Sequence, residues 1–210
     1  KINGLYNISY DPVSEITITS GATQAIFTAI TAFVKEQDEV IIFTPAYDCY
    51  QPAVELAGGK PVFVQLKAPD YSVNWEEVKK LISQKTKMII INTPHNPTGT
   101  ILSRDDMIEL EKITSESEII ILSDEVYEHI IFDQIEHESI CRYKGLAARS
   151  MAVFSFGKTF HVTGWKMGYC IGPKELMKEF RKVHQFNVFS SNHPLQHALA
   201  DYLEDREQYL

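Results

Sequence analysis

Cysteine is scarce in this chain of 210 residues: Cys49, Cys141 and Cys170 are the only three, and no C-x-x-C pair links them. An odd set without metal spacing excludes a disulfide framework and a zinc knuckle, and reads as a reduced, cytoplasmic protein. No apolar run approaches the roughly 18 to 20 residues of a membrane helix, and no basic segment leads into an apolar one at the amino end. A membrane is therefore not an expected partner. Positive charge is also short, with 20 Lys+Arg against 28 Asp+Glu and a net charge of −8. That balance argues against nucleic acid bound through bulk charge, and it leaves any bound phosphate dependent on local groups. Repeats, low-complexity tracts and Gly/Ser linkers are absent, so the whole length reads as one domain. The chain opens on Lys1, and its last stretch, 194–210, keeps a helical period to the end. It is expected to be a piece of a longer protein, truncated at both ends.

What is present is ordinary globular material, 44% hydrophobic and 23% charged, and ample for a core without staples. Apolar runs alternate with segments of helical period. The runs Ile16 to Thr19, Val40 to Phe43, Pro61 to Leu66, Met88 to Asn92, Ile119 to Ser123, Ala152 to Phe156 and Gly168 to Ile171 read as buried strands. Helices are expected near Ala22 to Val34, Asp48 to Ala57, Trp75 to Ile82, Asp105 to Ser115 and Glu175 to Phe186. Gly58-Gly59 is a C-cap signal and Pro173 sits where a helix can begin. The expected fold is α/β, a mainly parallel seven-stranded sheet with helices on both faces.

Ligands of such sheets bind beyond the carboxyl ends of the strands. Ser20-Gly21-Ala22-Thr23 turns into a helix and offers amides and a hydroxyl to an anion, although an ordinary N-cap looks the same. Thr93-Pro94-His95-Asn96-Pro97-Thr98-Gly99 is too rigid for a common loop and holds Asn96 in place; a tight turn is the plainer reading. Ser123-Asp124-Glu125-Val126-Tyr127 sets a carboxylate at the rim with a phenol three residues on. Asp124 can hold a cation or a protonated ring nitrogen, or simply end a strand. Lys158, in Ser155-Phe156-Gly157-Lys158, is placed as a Schiff-base nucleophile would be, though most lysines are surface lysines. Lys166 follows Thr163-Gly164-Trp165 as a second cation.

In combination these marks are specific. On S-x-G-K-T-F-x-x-T-G-W-K, H-N-P-T-G and S-D-E-V-Y, the chain resembles the large domain of pyridoxal-phosphate-dependent aminotransferases of fold type I. Within that superfamily it is similar to the branch of kynurenine, glutamine and methionine aminotransferases, from about Ile16 onward. The resemblance implies that Lys158 carries the cofactor and moves the substrate proton, and that Asp124 keeps the pyridine nitrogen protonated. It implies that Asn96 and Tyr127 face the ring's 3′-oxygen and that Tyr47 stacks on the ring. Ala22, Thr23, Ser155 and Lys166 are implied for the phosphate, Lys166 standing where many relatives have arginine. Cis bonds are implied before Pro45 and Pro97.

The family also implies a homodimer, with Asn187 to Ser191 resembling a segment that reaches the neighbouring site, and a carboxyl-terminal small domain that lies outside these residues. The substrates implied are an apolar, aromatic or sulfur-containing amino acid, or glutamine, and a 2-oxo acid. A C–S β-lyase on the same cofactor, a non-catalytic sensor domain of a transcription regulator and an inactive folded remnant are the alternatives. His161 is a candidate for the pocket wall. His193 and His197 lie i, i+4 without the Glu of a zinc motif and are expected to be surface or interface residues.

Overall fold

The structure, a computed structural model, describes residues 1–204. In chain order the elements are α1 (Ile2–Tyr6), β1 (Ile16–Thr19), α2 (Ala22–Phe33), β2 (Glu39–Thr44), α3 (Tyr50–Leu56), β3 (Lys60–Gln65), α4 (Trp75–Leu81) and β4 (Thr86–Asn92). There follow α5 (Arg104–Thr114), β5 (Ile120–Asp124), α6 (Lys144–Ala147), β6 (Ser150–Ser155), α7 (Phe156–Thr159), β7 (Gly168–Ile171), α8 (Lys174–Asn187) and α9 (His193–Glu204). All seven expected strands are present, β1 and β7 with the expected bounds and the others with ends moved by no more than two residues. The expected carboxyl-terminal helix is α9; the rest of that expectation, 205–210, lies outside the described residues.

The strands form one sheet in the order β1-β7-β6-β5-β4-β2-β3. Every pairing is parallel except those of β7, which runs antiparallel to both β1 and β6. The central strands carry consecutive apolar residues because both faces are covered. On β2, Val40 and Ile42 face α2, α3 and α8, while Ile41 and Phe43 face the opposite layer with α4, α5 and α9. Burying each such side chain contributes roughly 1.5 to 3 kcal/mol.

Local chemistry sets the helix ends. Ser103 and Asp106 form a reciprocal capping box on α5, and Asn74 accepts from the Glu77 N–H at the start of α4. After α3, Gly58 takes φ +83° and the Gly59 N–H returns to the Val54 carbonyl at 2.9 Å, the expected glycine stop. The bonds before Pro45 and Pro97 are cis, as are those before Pro69 and Pro94.

The reversed β7 decides where the chemistry sits. Gly168, at its amino end, pairs with Thr19 at the carboxyl end of β1 and with Ser155 at the carboxyl end of β6. Lys166, two residues earlier, is thereby delivered to the same rim as Ser20–Thr23 and Ser155. The approach is too close for a side chain at 168: an added Cβ would lie 2.7 Å from the Phe154 carbonyl oxygen and 3.0 Å from the Ala22 nitrogen. Only glycine lets these three segments meet.

Candidate active site

A cleft of about 560 Å³ opens at this rim, and the nine residues that the resemblance assigns to the cofactor all line it. They come from six separated stretches of chain. Ala22 and Thr23 open α2, Tyr47 precedes α3, Asn96 follows β4, and Asp124 ends β5 with Tyr127 three residues on. Ser155 ends β6, Lys158 lies in the single turn of α7, and Lys166 takes the left-handed conformation (φ 54°) just before β7.

One end of the cleft is built for an anion. The first intrahelical bond of α2 is from the Ala25 N–H to the Gly21 carbonyl, which leaves the amides of the first turn for a ligand. No acidic residue occupies that turn. The Ser155 hydroxyl faces it and accepts from the Lys158 N–H at 3.3 Å. Among the described residues neither Lys166 nor Lys158 is in a salt bridge.

Asp124 occupies the other end, 3% exposed. Its Oδ2 accepts from the Tyr50 hydroxyl at 2.6 Å and its Oδ1 from the Val126 N–H at 3.3 Å. Burial pushes its carboxyl up to about 6; the Tyr50 and Val126 hydrogen bonds act against burial, neighbouring Glu125 adds to it, and the Lys158 charge opposes it. At neutral pH the group is mainly a carboxylate. Replacing Tyr50 by Phe removes one donor from the charged form, so the Asp124 midpoint is expected to rise by about one pH unit. A carboxyl ¹³C titration of the cofactor-free protein checks this, and an unmoved midpoint would exclude Tyr50 from that role.

Between the two ends lie aromatic and amide groups. Tyr47 packs edge-on against Tyr50 with ring centroids 5.8 Å apart, and its hydroxyl lies 3.3 Å from that of Thr23. The Lys158 ammonium stands 5.4 Å from the centre of the Tyr127 ring. Asn92, the last residue of β4, also lines the cleft. Behind Asp124, Glu125 is wholly buried; it accepts from Ser123 and the Ile140 N–H, and pairs with His137 Nε2 at 2.8 Å.

The sequence reading missed Tyr50 and Asn92. Tyr50 falls inside the expected helix Asp48 to Ala57, and its place three residues after Tyr47 is the one mark of it that the sequence offers. The pocket-wall expectation for His161 is corrected: it is exposed, at φ 58°, and does not line the cleft, because the turn that follows α7 carries it outward. His193 and His197 are exposed on α9. Asn187, at the end of α8, lines the cleft of this same chain.

A doubly covered α/β sheet with a lysine, a buried carboxylate and an anion cradle on one rim defines a pyridoxal-phosphate-type site. The profile of the family described as "Aminotransferase class I and II" matches residues 1–210, and the chain belongs to that family. Members of the family depend on pyridoxal 5′-phosphate, as the sequence resemblance implied. The chain is similar to the methionine aminotransferase of Escherichia coli (strain K12), 47% identical over 211 residues, covering 100% of this chain and 55% of that protein. It is 39% identical over 211 residues to human kynurenine–oxoglutarate transaminase 1, covering 95% of this chain and 50% of the relative.

A solved E. coli structure whose description identifies a methionine aminotransferase function superposes with a TM-score of 0.97 at 46% identity, covering 99% of this chain and 55% of that one. N-succinyldiaminopimelate aminotransferase from Mycobacterium tuberculosis superposes at 0.93 with 34% identity, covering 97% and 53%. The chain spans about half the length of the curated relatives it matches.

Proposed function

We propose that the chain is the large, cofactor-binding domain of an enzyme that transfers the amino group of a sulfur-containing, aromatic or apolar amino acid, or of glutamine, to a 2-oxo acid. The observation that carries this is that Lys158 and the buried Asp124 line one cleft together with the first turn of α2, Ser155 and Lys166. The donor set fits pyridoxal phosphate: amides, Ser155, Thr23 and Lys166 for the phosphate, and a buried carboxylate for a cationic ring nitrogen. When bound, the cofactor supplies an electrophilic carbon and a ring that accepts electrons from the substrate's Cα.

The protein's own groups do the rest. Lys158 Nζ would hold the cofactor through its carbonyl carbon and, once released, would take the proton from the substrate Cα and deliver it to the carbon on the other side of the substrate nitrogen. Asp124 would hold the proton on the pyridine nitrogen, and Tyr50 orients that carboxylate. Asn96 and Tyr127 would meet the 3′-oxygen, and Tyr47 would cover one ring face. The small domain and the second chain of a homodimer complete the pocket in this reading. Exposed Phe27, Phe186 and Phe189 offer apolar surface to a partner chain. Three unpaired thiols agree with a cytoplasmic location.

The test uses the intact protein with pyridoxal phosphate, a 2-oxo acid, and methionine, kynurenine, glutamine or aspartate in turn. Amino transfer from at least one of the first three is expected to exceed that from aspartate by about tenfold or more. Absence of transfer from all four, or release of pyruvate and ammonia from cystathionine in place of transfer, overturns the reading.

A further inference from the structure

Asn96 and Asp124 lie on different strand ends, yet both must meet one flat ring. The turn that carries Asn96 is closed by its own bonds, from the His95 N–H to the Thr100 carbonyl and from the Gly99 N–H to the His95 carbonyl, both 2.8 Å. The Leu102 N–H adds a bond to the Thr93 hydroxyl at 3.1 Å. The turn is therefore a small rigid body, and its placement depends on what ties it to β5. Two ties reach the Asp124 carbonyl oxygen: the Thr93 N–H at 3.1 Å and the Asn92 side-chain Nδ2 at 2.9 Å. The other arm of the same amide, Asn92 Oδ1, accepts from the Asn96 N–H at 2.7 Å.

We propose that Asn92 is a positioning residue whose amide bridges the Asp124 carbonyl and the Asn96 N–H and so sets the spacing of the two residues that grip the cofactor ring. Asn92 and Asp124 are direct partners at the ends of β4 and β5, which brings the amide to the carbonyl without strain. The bridge requires a donor and an acceptor about 2.2 Å apart on one planar group at this reach. Aspartate has the shape but no donor, leucine has neither function, and glutamine is one methylene too long. The side chain is 8% exposed, so water does not replace it freely. Without it the Thr93 N–H is the remaining direct bond from the turn to the Asp124 carbonyl, the Thr100 hydroxyl still reaches the Asp70 carbonyl at 3.3 Å, and the Asn96 N–H loses its partner.

The inference rests on the proposed function for the identity of the ring, but its first readout does not. In the intact, cofactor-free protein, amide hydrogen exchange of Asn96 is measured in Asn92→Leu and Asn92→Asp, with Ile90 and Leu122 as sheet controls. The Leu variant is expected to exchange at Asn96 about tenfold faster with the controls unchanged, and the Asp variant, which keeps the acceptor, to retain protection. In the second readout both variants bind pyridoxal phosphate about tenfold more weakly, with a displaced absorption maximum of the bound cofactor. Unchanged Asn96 exchange in the Leu variant overturns the bridge. Native affinity and band position in both variants overturn the positioning role. If the native protein itself binds no cofactor, the proposed function fails while the exchange result still decides whether the bridge exists; the positioning role falls with the function. Should the Leu variant not fold, the Asp variant decides through its affinity and band.

Discussion

Replacing Lys158 by Ala is expected to lower amino transfer by about 10⁴-fold or more, and replacing it by Arg to do the same. The two substitutions separate charge from chemistry. Arg keeps a cation beside the Tyr127 ring, where the native ammonium stands 5.4 Å away, but it has no amine to deprotonate and cannot attack a carbonyl or shuttle a proton. The native lysine is half-buried and has no salt bridge among the described residues. Its removal takes from the buried Asp124 carboxylate a cation that favours its charged form, the smallest of the influences on that group, and the unfolding free energy of the Ala variant is expected to fall by no more than about 1 kcal/mol. Single-turnover transfer in the intact, cofactor-loaded variants is the measurement. An Arg variant within tenfold of native would show that Lys158 contributes only its charge, and the nucleophile would have to be sought elsewhere on the rim.

Much of this rim was legible because function and topology leave the same kind of mark. A strand buried on both faces is a short apolar run, and the residue that follows it stands at the ligand edge; Asp124, Lys158 and Asn96 could be placed on that rule alone. The direction of β7 was not legible, because the period-two pattern is identical for parallel and antiparallel pairing. Yet that direction is what brings Lys166 beside Ala22 and Ser155. The four-residue α7 was likewise invisible, being too short to show a period, and its first residue was read as the last of β6. Tyr50 escaped for another reason: its bond to Asp124 spans 74 positions, and only the packing of α3 against the sheet reveals it. Asn92 looked like the end of a strand, and its side-chain bridge becomes visible only when β4 and β5 are paired in register.

Asp124→Asn is expected to divide activity and stability in opposite senses. Burial lifts the Asp124 carboxyl from about 3.8 to about 6 in the folded chain. Below the lower value the group is neutral in both states and burial costs little; above the upper value it is charged in both, and the folded state bears the full cost. A gap of about two pH units corresponds to roughly 3 kcal/mol, lost from the folded cofactor-free protein as pH rises from about 4 to 7. Asparagine never ionises, so the stability of the variant relative to native is expected to grow by most of this amount, roughly 2 to 3 kcal/mol, between pH 4 and pH 8. Part of the absolute gain is returned because the Tyr50 hydroxyl and the Val126 N–H both donate to this side chain, and an amide has only one acceptor for them.

Urea unfolding of both proteins at the two pH values reads this difference, and a constant difference would show that the Asp124 carboxyl titrates alike in the folded and unfolded chains, so that burial does not shift it. Transfer activity is expected to fall by about 10³-fold over the same range, because a neutral amide cannot keep a proton on the ring nitrogen. The charge that destabilises the empty fold is the one the reaction uses. Cofactor bound to the native protein should therefore restore stability above pH 7 and do so much less in the variant, since only the carboxylate gains a cationic partner.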